Sequence, residues 1–188
     1  MQEEMTKERL AQLFPIILES HNPKWKKYYL QEKEFLQTIF GDSIVRINHI
    51  GSTYVDGLMA KPTIDILIEV CDNVNIEPIT EKLSSKGYIK NEAHNDIITY
   101  IKGYTSHGFE GQAVHIHVRH SGDWGELYFR DYLILHPTAA REYEKLKIEL
   151  RGKFLHDRDG YTEGKSKFVN ENTEKARVEL SNKYNPAV

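Results

Sequence analysis

Residues 49–70 read HIGSTYVDGLMAKPTIDILIEV and are the most informative segment of this chain. They predict a strand that ends at a Gly51–Ser52 turn, a glycine-bearing loop, and a second strand over Thr63–Val70. Alternate residues of a strand point to opposite faces, so the aliphatic residues at positions 64, 66, 68 and 70 share one face. Asp65 lies on the other face, where a carboxylate works against β-propensity and therefore needs an explanation.

The composition is that of an ordinary globular protein of one domain. The 188 residues are 39% hydrophobic and 28% charged, which is sufficient for a buried core. The formal charge of −3 argues against a long nucleic acid as a partner, because such surfaces carry a basic excess. Cys71 is the single cysteine, so no intrachain disulfide is possible. The polar start and the lack of a long apolar run predict no signal peptide and no membrane span, and we expect a cytoplasmic protein.

The periodicity on either side of residues 49–70 predicts an α+β fold. Helices are predicted over 22–40, 76–86, 124–135, 137–156 and 162–184, and strands over 44–50, 63–70, 88–91, 97–102 and 112–119, with a loop at 103–111. Asn22 is the expected N-cap of the first helix, Gly41 its C-terminal cap, and Pro137 the start of another helix. This order predicts a small mixed sheet with helices packed on one face and a helical C-terminal region. Residues 1–20 are expected to form an arm or a short helix, and residues 21–188 a single domain.

The Gly51–Ser52 turn and the Asp65 strand carry the residue types of a phosphate site. Glycine lets backbone amides approach an anion closely, and Ser52 adds a hydroxyl donor. Lys61 would supply positive charge, and Asp65 could hold a divalent cation that bridges phosphate oxygens. The alternative is that Asp65 lies on a solvated strand face.

A second candidate element is the sequence His115-Ile116-His117. On a strand, His115 and His117 point to the same face about 7 Å apart. If this strand neighbours the Asp65 strand, the three side chains could form a mixed imidazole–carboxylate site for one metal ion. Imidazole ligands favour manganese, iron or zinc over magnesium. The alternative is that the histidines form hydrogen bonds within the fold or bind substrate without a metal.

Several further motifs occur in the order typical of one family. They are Trp25 within NPKWKKYY, the segment AVHIHVRH, the segment LYFRDYLILHPTAAREYEKLK, and Tyr161 and Lys165 near the C terminus. With residues 49–70, they make the chain from position 20 to position 180 resemble the GrpB family, bacterial proteins of the nucleotidyltransferase superfamily. The resemblance implies a nucleotidyltransferase-like fold, and family members that are fused to dephospho-coenzyme A kinase hint at coenzyme A or nucleotide metabolism.

The superfamily pattern implies a Gly followed by Gly or Ser, then about ten intervening residues, and then a strand with two carboxylates that are separated by one residue. Gly51, Ser52 and Asp65 match this pattern, but Leu67 stands where the second carboxylate is expected. Glu69 is a poor replacement, because four residues of a strand span roughly 13 Å, which is too far for two carboxylates to bind one ion.

The resulting hypothesis is a metal-dependent nucleotidyl- or phosphoryl-transferase that uses a nucleotide triphosphate and a small-molecule or protein acceptor. Its expected residues are Asp65, Lys61 and Arg130 for catalysis, Gly51, Ser52, Thr53 and Lys61 for the nucleotide, and Asp65, His115 and His117 for magnesium, manganese or zinc. Lys147 and Lys165 could line the same cleft if the C-terminal helices cover the sheet. Two alternatives remain open, a non-catalytic module that binds a nucleotide or metabolite and a metal-dependent hydrolase.

Overall fold

The alternating residues of positions 63–70 form an inner strand of a mixed sheet. In the computed structural model, which describes residues 6–94 and 97–186, the strands are β1 (Ile44–Ile50), β2 (Thr63–Val70), β3 (Ile89–His94), β4 (Ile97–Thr105) and β5 (Gly108–His120). Over the same ranges, the helices are α1 (Lys7–Leu13), α2 (Lys24–Phe40), α3 (Ile76–Ser84), α4 (Gly125–Leu135), α5 (Pro137–Lys153) and α6 (Arg158–Glu179). Residues 1–5 of the predicted arm and 187–188 of the predicted domain lie outside the described residues.

The strand order β1-β2-β5-β4-β3 places the candidate site residues on neighbouring strands. The β2–β5 pair is parallel, and the other pairs are antiparallel. Asp65 stands directly opposite His115, and Leu67 directly opposite His117. Because directly paired residues point to the same face, the register brings Asp65 and both histidines together.

Helices cover both faces of the sheet. On one face, Trp25 and Leu36 of α2 and Leu83 of α3 pack against the aliphatic side of β2. On the other face, Ile50 and Leu67 contact α4 and the end of α6 through Leu127, Tyr128 and Ala176. The α+β class with a mixed sheet is confirmed, but the expectation of helices on one face is incomplete. Ile50 and Leu67 extend an apolar surface onto the second face, and the C-terminal helices bury it.

The prediction of a loop over 103–111 is wrong. β4 and β5 continue to a short turn at Ser106–His107, where the Thr105 hydroxyl donates to the Gly108 carbonyl. The register shifts between Lys102 and Tyr104, at Gly103, which has φ +90° and lies against the Ala113 backbone. A bulge of this kind lets the ladder continue past a glycine, so the glycine does not end the strand.

The predicted helix boundaries hold to within a few residues, except at the C terminus. Pro137 starts α5, and Gly41, with φ +53°, ends α2. The helix predicted to reach residue 184 ends at Glu179. Tyr184 instead folds back on α4, where its backbone N–H donates to the Tyr128 hydroxyl at 2.9 Å.

Candidate functional site

The Gly51 bend lies directly against the Asp65 carboxylate. Gly51 has φ +73°, a left-handed conformation that favours glycine. A Cβ atom added at Gly51 would lie 2.6 Å from Asp65 Oδ2. Glycine at this position is therefore required both by the turn and by the approach of the carboxylate.

Asp65, His115 and His117 form a compact cluster of metal-binding groups. Asp65 Oδ1 lies 3.4 Å from His115 Nδ1 and 3.8 Å from His117 Nε2. One ligand atom from each residue falls within 4.8 Å of the others. Burial would raise the pKa of the Asp65 carboxyl, but the interactions with the two histidines outweigh burial and hold the pKa well below its usual range. Asp65 is therefore an anion in this site.

Tyr104 orients the His115 ring from the side opposite Asp65. The Tyr104 hydroxyl lies 2.8 Å from His115 Nε2 and accepts a hydrogen bond from Arg158 Nη2 at 3.3 Å. The Tyr104 ring also packs against Phe14 and Phe109. If His115 Nδ1 faces a cation, then Nε2 carries the proton and donates to Tyr104, which is the usual arrangement around a metal-bound histidine.

Basic side chains surround this cluster in a cleft of about 800 Å³. They are Lys61, Lys147, Lys165 and Arg158. Burial lowers the pKa of Lys147 to about 7 and that of Lys165 to about 8, and it also lowers the pKa of Lys61. Desolvated cations of this kind gain most from a bound anion, because an anion restores their charged form.

The acidic side chains that border the cleft leave an excess of positive charge. They are Asp65, Asp159 and Glu126. Glu126 is paired with Arg119 at 2.6 Å. This leaves two carboxylates of the cleft lining, those of Asp65 and Asp159, to balance the four basic side chains.

The Ser52 hydroxyl lies within this cationic part of the cleft. Lys147 Nζ donates to Ser52 Oγ at 3.3 Å and also to the Met59 carbonyl. The 3₁₀ turn Ser52–Tyr54 holds Ser52 next to the Gly51 bend. Gly51, Ser52, Lys61 and Asp65 all line this one cleft.

Thr53 borders the cleft, but its hydroxyl is engaged within the fold. Thr53 Oγ1 donates to the Thr63 carbonyl at 3.1 Å and lies 2.9 Å from His49 Nε2. Because the one hydroxyl proton goes to Thr63, His49 must donate from Nε2. Burial lowers the pKa of His49 to about 4, which keeps the ring neutral. Thr53 therefore fixes the turn and offers no free hydroxyl to a nucleotide.

Arg130 lies outside the cleft, contrary to its expected role in clamping a phosphate. Its guanidinium donates to the His49 carbonyl at 3.0 Å, to the Tyr184 hydroxyl at 2.9 Å and to Asp131. These contacts join α4 to β1 and to the C-terminal segment. Arg158 borders the same cleft as Asp65, His115 and His117, where Arg130 was expected.

Two features of the site were not found from the sequence. Arg158 follows the Asp157 N-cap at the start of α6, and no local motif marks it. Tyr104 falls in the region predicted as a loop, so its position opposite His115 depends on the bulge in β4. The suggestion that Lys147 and Lys165 line the cleft agrees with their positions on α5 and α6.

No second carboxylate joins Asp65 in the described part of the chain. Leu67 is fully buried among Ile50, Leu127 and Tyr128. Glu69 is also fully buried and forms a two-pronged pair with Arg46, one contact of which measures 2.7 Å. The residues present therefore form a single cluster of one carboxylate and two imidazoles.

The fold and site together define an α+β protein with a candidate metal-binding cleft on one face of a mixed sheet. Across residues 6–94 and 97–186, the helices are too short or too polar for any of them to cross a membrane.

The particular family follows from comparison with known proteins. The family described as "GrpB protein" matches residues 15–175, and this chain belongs to that family. The chain is 35% identical to the "Glutamate-rich protein GrpB" of Alkalihalophilus pseudofirmus, over 83% of this chain and 92% of that protein. It is 34% identical to the "UPF0157 protein YqkA" of Bacillus subtilis, over 84% of this chain but only 46% of that protein.

Two more comparisons concern the fold and a longer protein. A crystal structure of conserved protein GrpB from Enterococcus faecalis superimposes with a TM-score of 0.78 at 25% identity, covering 87% of this chain and 99% of that one. A protein named "Dephospho-CoA kinase" from Mycolicibacterium paratuberculosis is 26% identical over 78% of this chain and 42% of its own length. The resemblance to the GrpB family is confirmed, and so is the α+β fold.

Proposed function

We propose that this protein is a metal-dependent nucleotidyl- or phosphoryl-transferase that acts on a small-molecule or protein acceptor. The observation that carries the proposal is the cleft in which the Asp65, His115 and His117 cluster lies beside the Gly51–Ser52 bend. Buried basic residues face the same space. Phosphoryl transfer needs this combination, because its catalysis rests on positioning and on charge stabilisation.

The donor set fits a divalent cation. Asp65 would contribute a carboxylate oxygen, and His115 and His117 would each contribute a ring nitrogen. Two imidazoles favour manganese or zinc, whereas magnesium prefers oxygen ligands. When bound, the ion would neutralise charge on phosphate oxygens.

The basic residues would bind the phosphate chain of the nucleotide. Lys61 and Lys165 both lie over the Tyr161 ring, at 5.6 Å and 4.6 Å from its centroid. Burial and then repulsion from Lys61 lower the pKa of Lys165, so the two ammonium groups are close enough to interact. Lys147 holds the Ser52 hydroxyl beside the Gly51 bend. Closely spaced cations in a partly buried site suit a polyphosphate better than a single carboxylate.

The transfer itself follows from this arrangement. The acceptor hydroxyl oxygen would form a bond to phosphorus while the bond from phosphorus to the bridging oxygen of the polyphosphate breaks. The leaving phosphate fragment takes the electron pair of that bond, and Lys61 and Lys165 stabilise its charge. The hydroxyl proton passes to water in the open cleft, because a carboxyl with a strongly lowered pKa, such as Asp65, is a weak base.

Leu67 favours a second candidate, a module that binds a nucleotide or metabolite without catalysis. The position where the superfamily pattern has a second carboxylate is an apolar core position in this chain. Two-metal catalysis needs ions about 4 Å apart, and the described ligands provide one cluster. A one-metal transferase and a binding module therefore share this geometry, and turnover separates them. A hydrolase would use the same cluster with water as the acceptor.

Calorimetric titration with ATP, GTP, CTP and UTP, first with magnesium and then with manganese, tests the binding step. Labelled nucleotide incubated with a pool of small acceptors tests transfer. Labelled product on an acceptor supports the transferase, tight binding without product supports the module, and release of product without an acceptor supports the hydrolase. Absence of nucleotide binding with either metal would rule out the proposed function.

Matched variants on α6 locate the nucleotide. Lys165→Gln removes a cation of the cleft and should weaken nucleotide binding about tenfold, since a charge-assisted hydrogen bond is lost. Lys167 is largely exposed and pairs with Glu171 on the outer side of the same helix. Lys167→Gln should leave the affinity unchanged, and equal effects of the two variants would place the nucleotide elsewhere.

A further inference from the structure

The candidate cleft continues past His115 into a groove of different chemistry. This groove has a volume of about 860 Å³, within the range of small-molecule sites. Asn91, His115, Arg158 and Asp159 border both the cleft and the groove. The remaining walls include Leu10 and Phe14 of the N-terminal segment and Ile89 and Ile101 of the sheet.

The strand register places the cleft and the groove next to each other along one row of paired residues across the sheet. The residues that face one another in successive strands are Ile50, Asp65, His115, Ile101 and Ile89. They point to the same face, and each step is about 4.8 Å. The row runs from the Gly51 bend, through the metal cluster, to an aliphatic surface roughly 10 Å beyond His115.

The aliphatic side chains that line the groove are partly exposed to solvent. Ile89 is 53% exposed and Leu10 is 38% exposed. Both line the groove, so a ligand with an apolar body would bury them, and that burial is favourable. Among the basic residues of the cleft, Arg158 alone reaches the groove; Lys61, Lys147 and Lys165 line the cleft.

We infer that this apolar groove binds the acceptor, a small molecule with an aromatic or aliphatic body and a hydroxyl group at one end. The inference rests on the proposed function and names the class of its second substrate. Gly51 lies against Asp65 Oδ2 and His115 lies beside Oδ1, so donor phosphates bound at the Gly51–Ser52 bend would be on the side of Asp65 away from the groove. In-line transfer needs the attacking oxygen and the leaving group on opposite sides of phosphorus, and the row across the sheet provides two such sides.

The probe for this site is 2-(2-naphthyl)ethanol, with a non-hydrolysable ATP analogue and manganese as the donor. The naphthyl compound should bind the wild-type protein and should still bind when the ATP analogue is present. Displacement of the probe by the analogue would mean that the groove holds the nucleobase, and it would overturn the inference.

Substitutions of exposed isoleucines supply the matched test. Ile89→Asn should weaken binding of the naphthyl probe about tenfold, because it removes apolar contact area, and should leave binding of the ATP analogue unchanged. Ile148 is 48% exposed on α5, away from the groove, and Ile148→Asn is the control. Leu10→Ser is a second groove variant that tests the same surface from the N-terminal side.

The possible failures are distinguishable. If the probe does not bind, or binds Ile89→Asn as tightly as the wild type, the apolar site is refuted. If the probe binds and depends on Ile89 while the ATP analogue fails to bind, the proposed function is refuted and the apolar site is supported. Melting temperatures of all three variants verify that each is folded.

Discussion

Asp65 and Glu69 lie on the same face of β2, four residues apart, but their carboxylates differ in burial and in their partners. Glu69 is fully buried, and its two carboxylate oxygens are both occupied by Arg46. Asp65 is partly exposed to the cleft and faces two histidines and the backbone of Gly51. The Glu69 carboxylate has a complete set of partners. The Asp65 carboxylate lies beside two histidines that could bind a cation together with it.

The difference shows how a structural carboxylate can be told from a functional one. A buried carboxylate with a bidentate arginine partner joins elements, and in this chain the Arg46 guanidinium also donates to the Gly122 carbonyl. A carboxylate held among imidazoles in an open cleft contributes little to packing. Substitution of the two residues should therefore separate function from stability.

Asp65→Asn should have the largest effect on function. It removes the anionic ligand but keeps the shape, so binding of manganese should weaken at least a hundredfold and transfer activity at least a thousandfold. The melting temperature should change by only a few degrees, because the contacts to His115 and His117 that are lost are partly exposed to solvent and asparagine fills the same space. Calorimetry, activity assays and thermal denaturation measure the three quantities. Unfolding of the variant would show that Asp65 is structural.

Glu69→Gln should have the opposite pattern. It leaves the Arg46 charge without its partner, and breaking such a buried pair costs about 3 kcal/mol, or roughly 10 °C in melting temperature. Metal binding should stay at the wild-type level, since Glu69 does not reach the cluster. Urea denaturation gives the free energy of unfolding. A loss of metal affinity in folded Glu69→Gln protein would show that the two carboxylates act together.

A pair of tyrosines on β4 tests how the His115 ring is held. Tyr104→Phe removes the hydroxyl beside His115 Nε2 and should weaken manganese or zinc binding tenfold to a hundredfold. Tyr100 lies on the opposite face, where its hydroxyl is 2.6 Å from that of Thr80. Tyr100→Phe should cost about 1 kcal/mol of stability without altering metal affinity. If Tyr104→Phe binds metal as well as Tyr100→Phe does, Tyr104 does not position His115.

Substitution of Lys147 should have the smallest effect, which is a change in how the free energy of unfolding depends on pH. Burial lowers its pKa from 10.5 to about 7, so the unfolded chain binds more protons than the folded chain between these values. Stability should therefore rise with pH across that window, and the cost of charging Lys147 is fully present below pH 7. Lys147→Met removes the cost and should stabilise the protein at pH 6 by about 1 kcal/mol.

Denaturation curves from pH 6 to pH 10 test this prediction. The difference between wild type and Lys147→Met follows mainly the titration of Lys147 itself, because burial lowers its pKa more than repulsion from Lys165 does. The difference should be greatest at pH 6 and should shrink as the pH rises. A constant difference would mean that Lys147 stays protonated in the fold.

Local sequence predicted the parts of the molecule that depend on neighbouring residues. The alternation around Asp65, the Gly51 turn and the Pro137 helix start are all encoded within a few positions, and the structure contains them. The spacing of His115 and His117 predicted that they share a face, and it left open which strand lies beside them. The parallel pairing of β2 with β5 supplies that information.

The remaining features depend on contacts between distant segments. Arg130 has the residue type of a phosphate clamp, but packing of α4 against β1 and Tyr184 directs it into the interior. Thr53 follows the Gly-Ser turn, but Thr63 and His49 engage its hydroxyl. Arg158 and Tyr104 reach the cluster because α6 and the β4 bulge bring them there. Contacts between segments so far apart in the chain cannot be predicted from a short sequence motif.

The parallel pairing of β2 and β5 also has a consequence for folding. In the chain, α3, β3 and β4 separate β2 from β5, so Asp65 and the histidines meet only when β5 pairs with β2. An ion that needs all three ligands would bind the finished molecule and not its unfolded chain, and mass action would then stabilise the native state. In a cell, the supply of that ion would set how long the assembled sheet survives, and a chelator would shorten its lifetime.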